Sequence, residues 1–113
     1  MDKLVTLKQN YEFHRAYAKG KSCVSPVLVT YCVKKKKDSA LRFGITSGKK
    51  IGCAVQRNRA RRVIRAAARE LLPQMNCGWD IVFVARTATA ACKSYDIKKV
   101  MQRHLISLGI ISQ

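Results

Sequence analysis

The sequence predicts a small α+β domain, with one sheet and helices packed on it. Three observations carry that reading. The chain has 113 residues, enough for one core of ordinary size and too few for two. Short runs rich in β-branched and aromatic residues alternate with segments of helical period. No internal repeat, low-complexity tract or linker interrupts them, so residues 1–113 read as a single domain.

Taken in order, Asn10 is placed to cap a first helix that carries Phe13, Ala16 and Tyr17 on one side and stops at Gly20. Phe13 and Tyr17 are four apart, so their rings share a face. Lys21–Val24 reads as a short extended piece before Pro26. Val27–Val33 (VLVTYCV) reads as a strand apolar on both faces. The polar segment Lys34–Ser39 then reads as a hairpin loop. Leu41–Ser47 sets Leu41, Phe43 and Ile45 against Arg42, Gly44 and Thr46, a half-buried strand. Gly48–Gly52 is a basic turn. A long helix follows from Ala54 to Leu72, ended by Pro73. Trp79–Ala85 (WDIVFVA) is a strand whose Trp79 and Phe83 read as core, with an exposed strand start as the alternative for Trp79. Ser94 reads as the N-cap of a last helix with Ile97, Val100, Met101, Leu105 and Leu108 at helical spacing.

Charge narrows the function. Lys and Arg total 23 against 6 Asp and Glu, a formal net charge of +17, yet 48% of residues are hydrophobic. The chain is therefore a folded basic domain rather than a disordered tail, and its favoured partner is nucleic acid over an acidic membrane surface or an acidic protein. No apolar stretch approaches the roughly 18 residues of a membrane span. Charged residues interrupt Met1–Gly20 as they would not a secretory leader. A cytoplasmic protein is expected. The five cysteines, at 23, 32, 53, 77 and 92, form no C-x-x-C pair and lie far from His14 and His104. They read as reduced thiols, with Cys23, Cys32 and Cys92 filling small apolar or half-exposed positions, and not as a zinc site.

The charge is concentrated. Ser39–Arg69 holds nine basic residues and no acidic one, and six of the nine are arginines of the long helix: Arg57, Arg59, Arg61, Arg62, Arg65 and Arg69. At about 100° per residue, Ala60, Val63, Ile64, Ala67 and Leu71 fall in one arc, with most arginines and Asn58 opposite and Arg57 at the border. An ordinary solvated helix mixes signs at i+4, whereas this one offers no Glu before Glu70. Arginine forks also suit phosphate, so the face reads as a nucleic-acid contact. Near-uniform arginine is unlike the varied base-reading side chains of a DNA recognition helix. Phe13, Tyr17 and Tyr31 have the chemistry for stacking single-stranded bases beside such a face, although Phe13 suits the core equally well. Scattered carboxylates form no paired-metal nuclease site, and no nucleophile context or Walker loop occurs. A small ribosomal or ribosome-assembly protein fits the same composition.

The run Lys49-Lys50-Ile51-Gly52-Cys53-Ala54-Val55-Gln56-Arg57-Asn58-Arg59-Ala60-Arg61-Arg62-Val63-Ile64-Arg65 resembles the signature of the bacterial ribonuclease P protein family, K-x-G-x-A-V-x-R-N-R-x-K/R-R-x-x-R. Glu12-Phe13, Tyr17, Leu41-Arg42-Phe43-Gly44 and Ala85-Arg86 support the likeness over nearly the whole chain. Gly48 and Cys53 depart from it, standing where many members carry Ser or Thr and Asn. A weaker helix start is the expected effect.

The resemblance implies an α-β-β-β-α-β-α sandwich with a left-handed β-α-β crossover, against the general right-handed rule. It implies a protein without catalytic residues of its own that binds a catalytic RNA. That RNA uses magnesium to cut the 5′ leader from precursor tRNA. Arg57, Asn58, Arg59, Arg61, Arg62 and Arg65 match the motif that contacts the catalytic RNA. Phe13, Tyr17 and Tyr31 match a cleft for the single-stranded leader, joined by Thr46, Lys49 and Arg86.

Overall fold

A computed structural model of the chain describes residues 10–36 and 40–111, and for residues 10–12 and 49 the backbone only. The elements run α1 (Asn10–Lys19), β1 (Lys21–Val24), β2 (Leu28–Lys34), β3 (Arg42–Thr46), α2 (Ala54–Leu71), β4 (Trp79–Ala85) and α3 (Ser94–Ser107). That is the expected α-β-β-β-α-β-α order.

Glycine 20 lets α1 turn directly into β1. Its amide donates to the Ala16 carbonyl at 3.0 Å, and a Cβ there would run into the carbonyl oxygens of Ala16 and Cys32. The β1–β2 turn is organised by Ser25, whose hydroxyl donates to the Leu28 carbonyl (2.9 Å) and accepts from the Leu28 amide (3.1 Å). The single sheet has the order β1-β2-β4-β3, with β4 antiparallel to β2 and parallel to β3.

That order corrects the hairpin expected at Lys34–Ser39. β4 lies between β2 and β3, so β2 and β3 are not paired as a hairpin; residues 37–39 of their connection lie outside the described residues. The reason is the composition of β4: Ile81, Val82 and Phe83 are all fully buried, and a strand apolar on both faces belongs at the centre with both edges paired. The Lys35 amide, donating to the Gly78 carbonyl at 2.7 Å, ties the start of that connection to the entrance of β4.

Helices cover both faces of the sheet. On one face Leu28, Cys32, Phe43, Ile81 and Phe83 pack against Ala60, Ile64, Ala67 and Leu71 of α2 and Ile97, Met101 and Leu105 of α3. On the other, among the described residues, Tyr31, Val33, Val82 and Val84 meet Phe13 and Ala16 of α1. The arc expected for α2 is the buried one, with Ala68 added and Val63 only half-buried. Trp79 is likewise half-buried against the main core. The helix ends one residue early, at Leu71, because Pro73 favours a 3₁₀ turn over Leu72–Gln74. Ser94 is the first residue of α3 and not its cap. Lys93 is the extended cap residue, its carbonyl accepting from the Asp96 and Ile97 amides and its own amide donating to the Asp96 carboxylate at 3.4 Å. Gly109, at φ +83, closes α3 with the Ile110 amide on the Leu105 carbonyl (2.9 Å).

Candidate nucleic-acid interface

The arginine face survives folding intact. Asn58, Arg59, Arg61, Arg62 and Arg65 are exposed along α2, and among the described residues no carboxylate pairs with any of these arginines. Glu70, the first acid of the helix, is engaged by Lys98 of α3 at 3.3 Å. Val55, Asn58, Arg61, Arg62 and Arg65 line an open groove of about 500 Å³. Two members of the motif turn away from it. The half-buried Arg57 donates through Nη1 to the Gly52 carbonyl (2.8 Å), bracing the turn before α2, and Arg59 donates through Nε to the Ala90 carbonyl (2.7 Å).

Like charges three and four apart disfavour an isolated helix by roughly 0.2–0.5 kcal/mol per pair. Burying Ile64 and Leu71 completely contributes about 1.5–3 kcal/mol each. Packing therefore wins, and the helix can display unpaired guanidinium groups without unravelling. At its start the Cys53 amide donates to Gln56 Oε1 at 3.1 Å, so a side chain still satisfies the end that the Cys53 departure was expected to weaken. The exposed Cys53 thiol has its pKa lowered by the backbone amides of Gln56 and Val55. By contrast, burial pushes Cys32 up to about 11. All five cysteines are free thiols.

Four of the six expected leader-binding residues, Phe13, Tyr17, Tyr31 and Thr46, lie on the α1 side of the sheet. Phe13 and Tyr31 are half-buried in one cluster, and the Tyr17 ring, 40% exposed, stands edge-on to Tyr31 with centroids 4.9 Å apart. Phe13 is thus both packed and accessible. Thr46 pairs with Val84, and Tyr31 with Val82, in the sheet register, which puts Thr46 on this same face. Arg86 follows Ala85 in extended conformation at the exposed end of β4. Lys49 lies in a 3₁₀ turn after β3, its side chain outside the described residues.

Sequence reasoning missed two features of this face. Val24, 65% exposed, and Val29, its register partner, extend the apolar strip beside Tyr31; the uniformly apolar β2 run concealed which of its residues face the cleft. At the other end Asp80, 2% exposed, accepts two bonds from Arg42 (3.1 and 3.0 Å) and lies 3.7 Å from Lys35. Arg42 and Asp80 are 38 positions apart, and only the parallel register of β3 and β4 joins them.

Known proteins match the chain over nearly its whole length. The family model described as Ribonuclease P matches residues 1–109. The ribonuclease P protein component of Oceanobacillus iheyensis is 38% identical over 111 residues, covering 98% of this chain and 92% of that protein. Its counterpart in Clostridioides difficile is 40% identical over 107 residues, covering 90% and 93%. Among solved structures, the Staphylococcus aureus RNase P protein superposes with a TM-score of 0.83 at 28% identity, over 97% of this chain and all of that one. The Thermotoga maritima RNase P protein reaches 0.75 at 22% identity, over 87% and 92%, a likeness of fold.

Proposed function

Because the chain belongs to the ribonuclease P protein family, we propose that it binds the catalytic RNA of that ribonucleoprotein through α2 and the 5′ leader of precursor tRNA through the cleft beside α1. The observation that carries this reading is the carboxylate-free arginine face, exposed on a helix whose opposite side is fully committed to the core. A surface of this kind is unfavourable in isolation and is relieved by a polyanion. Nothing in the matches favours the ribosomal reading.

Under this proposal the RNA carries out the hydrolysis. The chain contributes two physical effects. Its cations reduce repulsion between enzyme RNA and substrate RNA, which lowers the magnesium needed to bring them together. Its cleft engages a segment that precursor tRNA has and mature tRNA lacks, so substrate is favoured over product. Among the described residues the donors do not suit a magnesium site, since no group of three or more His, Cys, Asp or Glu is gathered. Asp80 is held by Arg42 and Lys35, and Glu70 by Lys98. We assign the magnesium to the RNA.

No helix among the described residues is long and apolar enough to cross a membrane, and together with the charge this supports a cytoplasmic site of action. Reconstitution tests the function. The protein alone should leave precursor tRNA uncut, and with the catalytic RNA it should raise cleavage at low magnesium. No stimulation over RNA alone, across a magnesium and salt series, would overturn the reading.

A further inference from the structure

The arginines of α2 do not form one surface. Arg61 and Arg65 line the outer groove with Asn58, while Arg59 leans the other way and is pinned by the Ala90 carbonyl. There a second groove of about 360 Å³ opens between α2 and the start of α3. Arg59, Arg62, Lys93 and Ser94 line it together with Val63, Ala66 and Cys92. Arg62 lines both grooves, so the two adjoin at its side chain.

We propose that this α2–α3 groove is a second seat for the backbone of the RNA bound by α2, with Lys93 and the first turn of α3 as phosphate contacts outside the arginine motif. The inference rests on the reading that α2 carries the RNA. Three cations and a hydroxyl line the groove and no carboxylate does. With Nε committed to Ala90, Arg59 is held in place and offers its two terminal nitrogens as a fork. The backbone amides of Ser94 and Tyr95 lie in the first turn of a 14-residue helix, where no intrahelical acceptor exists and the dipole favours an anion. Asp96 is the acid nearest in sequence, and its carboxylate is turned onto the Lys93 amide. At about 30 Å³ per water the groove holds roughly a dozen, room for a phosphodiester and part of its sugars. Since α2 and α3 cover the sheet face opposite Phe13 and Tyr31, the occupant is the RNA on α2 and not the leader.

The test is catalytic-RNA affinity across a salt series for Lys93→Glu, Lys93→Arg, Arg61→Ala and the charge-matched Lys36→Glu at a distant exposed position. The expected result for Lys93→Glu is weaker binding and a log–log salt slope flattened by about 1 relative to Lys36→Glu. Lys93→Arg should retain the parental slope, and the preference for precursor over mature tRNA should not change. A glutamate at the helix cap suits the dipole, so lost folding is not the expected effect. Equal slopes for Lys93→Glu and Lys36→Glu, with Arg61→Ala flattened, overturn the groove and leave the α2 reading standing. Equal slopes for all three overturn both. A changed precursor preference would assign Lys93 to the leader instead and also overturn the proposal.

Discussion

Gly20 and His104 show how much single residues carry away from the interface. The close approach of the Ala16 and Cys32 carbonyls leaves no volume for a methyl group at Gly20. Gly20→Ala is therefore expected to lower stability by about 1–3 kcal/mol, read as a shifted denaturant midpoint. It should also loosen α1 from the sheet, seen as faster amide exchange in α1. His104 is 7% exposed, and its Nδ1 lies 2.8 Å from the fully buried Thr30 hydroxyl. It lies in the last turn of α3, and burial lowers its pKa by disfavouring the charged imidazolium. As pH falls the unfolded chain takes up this proton first. The His104 contribution is thus complete above the ordinary imidazole value of about 6.5 and is lost as pH drops below it. Thermal unfolding from pH 8 to 5 should show that loss, and His104→Gln should shrink it. An identical pH profile in the variant would exclude His104 as its source.

At the scale of elements, the proposed leader cleft needs both α1 and the sheet. The i, i+4 spacing of Phe13 and Tyr17 put both rings on one side of a helix, which was legible. That Tyr17 meets Tyr31, and that Phe13 shares a cluster with Tyr31, Val33 and Val84, depends on which sheet face α1 covers. Local sequence does not encode that choice, because β2 and β4 are apolar on both faces. Phe13→Ala and Tyr17→Ala should each weaken leader-bearing substrate by about 1–3 kcal/mol per stacked base and hardly affect mature tRNA. Equal losses for both RNAs would mean a packing defect at α1, to which the half-buried Phe13 is the more prone.

For the whole molecule, +17 on 113 residues stores self-repulsion that any bound polyanion relieves. A ligand that binds only the folded state adds about 2.7 kcal/mol of stability at one hundred times its dissociation constant. Short RNA should accordingly raise Tm well above sodium chloride at equal ionic strength. Equal Tm values in the two media would place the charge in general screening and not in a defined surface.

The sequence by itself determined the elements, their order, the buried arc of α2 and the arginine face opposite it. Each follows from periodicity and propensity within one segment, where neighbours along the chain are neighbours in space. The run around Arg57-Asn58-Arg59 also pointed to the family that the matches establish. Only the tertiary structure decided that β4 enters between β2 and β3, which leaves no room for the expected hairpin. It also joined Arg42 to Asp80, set Lys93 beside Arg59 and Arg62, and sent Arg57 and Arg59 away from the outer groove. Those outcomes depend on pairing and packing between segments tens of residues apart. Such contacts are chosen by burying the most apolar strand at the centre, a competition settled by the whole chain at once.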